Sequence, residues 1–99
     1  MKAKTYKLKA HASQDLEDIA IYSFLNFGIR QAERYRDSIL ACCEMLADNP
    51  YIGTDASYIL EGARRHFHKE HIIYYEPTSP ITILRILGAR QDPLEQLNN

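Results

Sequence analysis

Long apolar runs are missing from this 99-residue chain: none approaches the roughly 18–20 residues needed to span a bilayer. Glycine is scarce and scattered, at Gly28, Gly53, Gly62 and Gly88, which leaves no glycine-rich loop to cradle a phosphate. Serines are few and none stands in a nucleophile elbow. No acidic pair has a spacing that marks it for general acid–base work. Excess charge of either sign is absent too, with 12 Lys plus Arg against 13 Asp plus Glu. A net charge of −1 argues against general coating of nucleic acid, which needs an electropositive surface. The start, Met1-Lys2-Ala3-Lys4-Thr5-Tyr6, lacks the apolar stretch of a signal peptide. The expectation is a mature chain that begins here and stays in the cytoplasm. The two cysteines, Cys42 and Cys43, are neighbours; a bridge between them would be badly strained, and a metal site normally spaces its ligands further. They read as small buried apolar residues of a helix, at home in a reducing cytosol.

What is present is the composition of a globular domain, 45% apolar and 25% charged. One domain over residues 1–99 is expected, with a core but no deep enclosed active site, since a chain of this size buries about 60–70% of its unfolded surface. Tyr6 to Ala10 alternate weakly and predict a short first strand. Leu16, Ile19, Ala20, Ser23, Phe24 and Phe27 recur at three- and four-residue spacing, the mark of an amphipathic helix. Asp15, Glu17 and Asp18 are expected in its first turns, where negative charge suits the helix dipole. Gly28 suits a left-handed cap, and a second helix runs through Ala32, Tyr35, Ile39, Cys42 or Cys43, and Leu46 until Asp48-Asn49-Pro50 stops it. The pair makes an αα-hairpin. Tyr51 to Glu61 is a loop by composition.

Strand texture follows, from Ala63 to His68 and from His71 to Glu76, parted by a turn at Lys69-Glu70. Pro77-Thr78-Ser79-Pro80 turns again into Ile81 to Leu87, whose nearly unbroken apolar run predicts a central strand covered on both faces. Asp92 to Leu97 predicts one helical turn. The fold class is α+β: an N-terminal strand, an αα-hairpin, then a three-stranded antiparallel meander, with the helices packed on one side of the sheet. Tyr74 and Tyr75 must point to opposite faces, so at least one belongs to the core.

The densest polar chemistry is Arg64, Arg65, His66, His68, Lys69 and His71, interleaved with Phe67, Tyr74 and Tyr75. Alternation places Arg64, His66 and His68 on one face and Arg65 and Phe67 on the other. Three readings stand: a metal site from three imidazoles, RNA cleavage with arginines on the phosphate and a histidine or tyrosine moving protons, or a solvated polar hairpin. Charges such as Arg30, Glu33, Arg34 and Asp37 read as a wet helix surface with ion pairing between successive turns.

Taken together, the chain resembles the ParE branch of the ParE/RelE superfamily of toxin–antitoxin toxins. The resemblance is carried by Ala12, Asp15, Leu16, Ile19 and Tyr22, by Phe27-Gly28 with Gln31, Ala32 and Tyr35, and by Leu46-Ala47, Asn49-Pro50 and Gly53. It continues through Gly62, Arg64-Arg65, His71, Ile73-Tyr74-Tyr75, Ile83, Arg85-Ile86-Leu87 and Arg90-Gln91-Asp92. The resemblance implies a toxin without a catalytic centre or cofactor that binds DNA gyrase, and a ParD-like antitoxin that wraps it in a hetero-oligomer. It implies no specific nucleic-acid binding by the toxin alone. The RelE relatives instead cut mRNA in the ribosome. They are strongly basic and start the third strand with an arginine, where this chain has His71. The family often has a histidine where Gly88 stands, which opens a further option, a non-toxic relative that only binds antitoxin. The residues proposed to contact the target are Arg64, Arg65, His71, Arg85 and Arg90; those proposed to contact the antitoxin are Tyr22, Phe24, Tyr35 and Ile39. No metal ligand is assigned.

Overall fold

The structure is a computed structural model and describes residues 6–97. Its elements run β1 (Tyr6–Leu8), α1 (Ala10–Phe27), α2 (Ile29–Asp48), β2 (Thr54–Asp55), β3 (Arg64–His68), β4 (His71–Glu76), β5 (Ile81–Gly88) and α3 (Pro93–Leu97). They form one five-stranded sheet in the order β1-β5-β4-β3-β2. The expected α+β class is the one observed. β3, β4 and β5 form the antiparallel meander, and β1 returns parallel to β5.

Three boundaries differ from the sequence reading. The first strand stops at Leu8, and α1 starts at Ala10. Asp15, Glu17 and Asp18 therefore lie beyond the first turn, which holds no acidic residue. The loop after α2 contains β2, which pairs Thr54 with Arg65 and Asp55 with Arg64. Gly28 joins the two long helices at φ +89°, a conformation that costs a residue with a Cβ more than glycine, so the junction turns without a connecting loop.

Both faces of the sheet are covered. Ile73 and Tyr75 of β4 and Ile81, Ile83 and Ile86 of β5 pack with Leu16, Ile39, Cys43 and Leu46 of the long helices. On the other face, Ile72, Tyr74, Leu84 and Leu87 pack beneath Ala56, Ile59 and Ala63 of the loop, with Leu97 of α3 against them. Both tyrosines are thus core, on opposite faces. The switch of β5 from odd to even helix-facing residues follows from a bulge: Tyr74 pairs with Arg85 but Tyr75 with Ile83, so Leu84 is the extra residue. Cys43 is fully buried and its thiol is pushed up to about 12 by desolvation, while burial also raises Cys42. Neither forms a thiolate near neutral pH, which makes both inert packing residues.

Tyr75 also ties the loop after α2 to the sheet. Its hydroxyl donates to the Pro50 carbonyl at 2.8 Å and accepts the Gly53 N–H at 3.0 Å. A Cβ at Gly53 would stand 2.5 Å from that hydroxyl and 2.7 Å from the Arg65 carbonyl, so only glycine passes there. Tyr75→Phe strands the buried Gly53 N–H. The expected loss is about 1–3 kcal/mol of stability, read from the urea midpoint; an unchanged midpoint would show that the hydroxyl does not hold the loop.

Candidate functional site

Two regions stand out, one polar and one apolar. The polar one lies where the β3–β4 turn meets α2. Tyr35 of α2 is 2.6 Å from Nδ1 of His71, and Ser38, one turn on, is 2.9 Å from Nε2 of His68. Lys69 lies over the Tyr35 ring at 5.6 Å. Burial lowers the pKa of both histidines; neighbouring Lys69, His66 and His71 add to the effect at His68, while Glu70 and Asp15 oppose it at His71. Both rings are neutral at pH 7. Burial likewise pushes the Tyr35 phenol up. The three-imidazole metal reading does not hold: among the described residues no group of three or more metal-ligating side chains converges. His68 and His71 turn ring nitrogens to α2 hydroxyls instead.

The arginines do not join this cluster. Arg64 bonds the carbonyls of Tyr51 and Gly53 and stacks on the Tyr51 ring, which fastens the loop after α2. Arg65 faces the other side, between the rings of Tyr58 and Phe67 at 5.8 and 5.4 Å. Arg85 is committed to Asp15 through bonds of 2.7 and 2.8 Å and donates a third to the Gln96 carbonyl at 3.1 Å. Arg90 is exposed, and the Ala89 N–H bonded to the Glu70 carbonyl brings its segment beside the hairpin turn. The pairing of His71 with Gly88 and the Ala89–Glu70 bond put His71 and Arg90 at the same end of the sheet, while Arg64 and Arg65, neighbours in sequence, turn to different rings.

The apolar region is the end of α1 and the corner into α2. Ile21, Tyr22, Phe24, Leu25, Phe27 and Ile29 are each at least half exposed, while Ser23 between them is buried. The inward stripe of α1 consists of Ala12, Leu16, Ile19, Ala20 and Ser23; from Ile21 onward its large apolar side chains point out. Phe24 and Phe27 thus leave the core-facing set in which periodicity placed them. Six large apolar residues in one stretch form the kind of patch that marks an interaction surface. Tyr22 and Phe24 belong to it. Tyr35 is half-buried against the hairpin, and Ile39 is wholly enclosed in the core, so Ile39 packs the fold and presents nothing outward.

Ile21, Leu25, Phe27 and Ile29 were missed as site residues. The signal was available: eight of the eleven residues from Ile19 to Ile29 are apolar, more than one face of a helix can bury. Ser38 carried no such signal, because its partner lies 30 residues away.

The chain is thus an α+β fold with a helical hairpin on a five-stranded sheet, an uncovered apolar helix end and a polar cluster bonded within itself. The chain matches the family described as the ParE toxin of the type II toxin–antitoxin system parDE over residues 6–93, and it belongs to that family. It is 33% identical over 84 residues to Toxin ParE1 of Caulobacter vibrioides, covering 85% of this chain and 88% of that one. It is 30% identical over 89 residues to Toxin ParE1 of Mycobacterium tuberculosis H37Rv, covering 88% and 91%. In fold it is similar to a chain of the chromosomal ParDE TA system from P. aeruginosa, at a TM-score of 0.73 and 20% identity over 84% of this chain and 92% of that one. Among the described residues no helix is long and apolar enough to cross a membrane.

Proposed function

We propose that this chain inhibits DNA gyrase by direct binding and is neutralised by a ParD-like antitoxin in a hetero-oligomer. The observation that carries the antitoxin half is the apolar end of α1: five large side chains in water, with Ile29 of α2 beside them, on a helix whose other face already packs on the core. A segment that folds as it binds would anchor apolar side chains there. Membership in the family supports the gyrase half. So does the state of the polar cluster, where Tyr35, Ser38, His68 and His71 bond one another and Arg64 and Arg85 are committed elsewhere. Among the described residues, Arg64 and Arg85 are thus taken up by carbonyls and a carboxylate, and the ring nitrogens of His68 and His71 nearest α2 by hydroxyls. The chain acts as a binding inhibitor with no catalytic centre, through the end of the sheet where exposed Arg90 lies beside the β3–β4 turn, and the segment that follows.

A supercoiling assay tests this. The purified protein is expected to block supercoiling of relaxed plasmid by gyrase and to accumulate cleaved complex, and added antitoxin is expected to reverse both. Normal supercoiling without cleaved complex sinks the gyrase reading. Transcripts cut only in the presence of ribosomes would replace it with endonuclease action; inertness in both assays would point to an antitoxin-binding relative.

A further inference from the structure

The sheet is open on its β3 side. β2 pairs with β3 only at Arg64 and Arg65, so His66 to His68 have β4 on one flank and no strand on the other. The register tells which groups are left over. His68 and His71 close a two-residue turn as a hydrogen-bonded pair, and bonded pairs alternate along an antiparallel ladder. Phe67 therefore turns its N–H and carbonyl away from β4. Arg65, two residues back, is oriented the same way, with its carbonyl beside Gly53. Among the described residues no hydrogen bond reaches the Phe67 main chain from the outer side. The side chains beside this edge suit a ligand. Tyr58 and Phe67 are more than half exposed, and the Arg65 guanidinium lies between their rings. Burial raises the Tyr74 phenol, and the Arg65 charge beside it opposes the rise. The ion pairs among the described residues leave Arg65 out, and its Nε is enclosed without an acceptor. A cation held against ring faces has already shed part of its water, which favours a bond to a carboxylate. From Arg64 to Glu70 the strand and turn carry three cations against one carboxylate.

We infer that the outer edge of β3 binds an extended acidic segment of a partner protein, which adds as a sixth strand by bonding the Phe67 main chain and setting a carboxylate against Arg65. Main-chain bonds give such a strand its alignment, and the side chains flanking the edge give it specificity. Two other occupants fit less well. A second copy of the chain, paired across a twofold axis at Phe67, would set Arg65 of each copy against Lys69 of the other. Like charges opposite one another repel, and a lysine at an open edge guards against self-pairing. A nucleic acid could stack on Tyr58 and Phe67, but it offers the edge no strand and meets a chain of net charge −1. Arg65 and Phe67 pair with Tyr74 and Ile72, so the surface belongs to the face of the sheet opposite the long helices. The inference rests on neither gyrase nor the antitoxin.

The probe is the capped peptide Glu-Thr-Val-Thr-Glu, with capped Lys-Thr-Val-Thr-Lys as its control, titrated to millimolar concentration into the isotope-labelled full chain. Amide shifts read by NMR are expected to gather on β3 and around Tyr58. Exchange of the Phe67 amide is expected to slow at least about tenfold at saturation, as an amide does on gaining a stable bond. The lysine peptide is expected to change neither. Arg65→Gln keeps the edge and removes the charge; it is expected to weaken binding by at least about tenfold, the size of a charge-assisted bond. Phe67→Pro removes the outward N–H without touching the bonds to β4, and is expected to abolish binding while the rest of the exchange pattern stays. No shift at millimolar peptide, unmoved Phe67 exchange at saturation, equal binding of the lysine peptide, or full affinity in Arg65→Gln would each overturn the site. Phe67 protection that rises with protein concentration alone would give the edge to a second copy instead. Oligothymidylate moving the same amides more tightly than the peptide would give the rings to nucleic acid, and either result overturns the inference.

Discussion

Asp15→Ala is expected to lower the unfolding free energy by about 3–5 kcal/mol, the cost of removing one partner from a buried ion pair. The two side chains are only 12% and 15% exposed, so water replaces the lost carboxylate poorly. Asp15 does three things at once. Its oxygens take Arg85 Nε at 2.7 Å and a second guanidinium nitrogen at 2.8 Å, and Oδ2 also accepts the Ile86 N–H at 2.9 Å. The need for that last bond is topological: β1 covers β5 only through Ile83, so the edge beyond lacks a strand partner and α1 caps it. Through Arg85 the same clamp reaches the Gln96 carbonyl and holds α3. In a domain of this size the loss corresponds to a Tm drop of about 12 °C or more. The double variant Asp15→Ala with Arg85→Ala should lose less than the sum of the singles, because it buries no lone charge. A Tm within a few degrees of wild type for Asp15→Ala would show that the clamp contributes nothing.

Phe24→Glu combined with Leu25→Glu is expected to weaken antitoxin binding by at least about a hundredfold while leaving the fold nearly untouched. The two side chains are 51% and 73% exposed, so the free protein has little packing to lose. An interface anchor such as Phe24 commonly contributes about 2 kcal/mol or more, the two new carboxylates add the cost of burying unpaired charge, and every 1.4 kcal/mol is tenfold in Kd. Calorimetry with the cognate ParD-like antitoxin measures the change. Unaltered affinity would remove the α1 end from the interface. Ile39→Ala provides the contrast. At 0% exposure it should cost about 2–5 kcal/mol of stability, with any effect on binding following from that loss.

The fold was legible because its signals are local. Three- and four-residue spacing marked both helices, Gly28 and Asn49-Pro50 marked their ends, and the apolar run from Ile81 marked the central strand. β2 was not legible, since a two-residue strand carries no period and exists only because Arg64 and Arg65 lie beside it. The site was legible in its residue types and misleading in its roles. Arg64 and Arg65 are adjacent in sequence, yet one fastens a loop and the other stacks between two aromatic rings on the opposite face.

The sequence by itself determined the α+β class, the order of every element but β2, and membership in the toxin family, because hydrophobic period, turn residues and family motifs are written along the chain. The tertiary structure alone decided which charges are free. Arg85 looked like a target contact until Asp15, 70 residues away, was found to take its guanidinium, and Phe27 looked like core until α1 turned it outward. The physical reason is that a side chain's periodic position shows which face of its own element it occupies. Whether another element covers or neutralises that face depends on long-range contacts, and no local pattern encodes them.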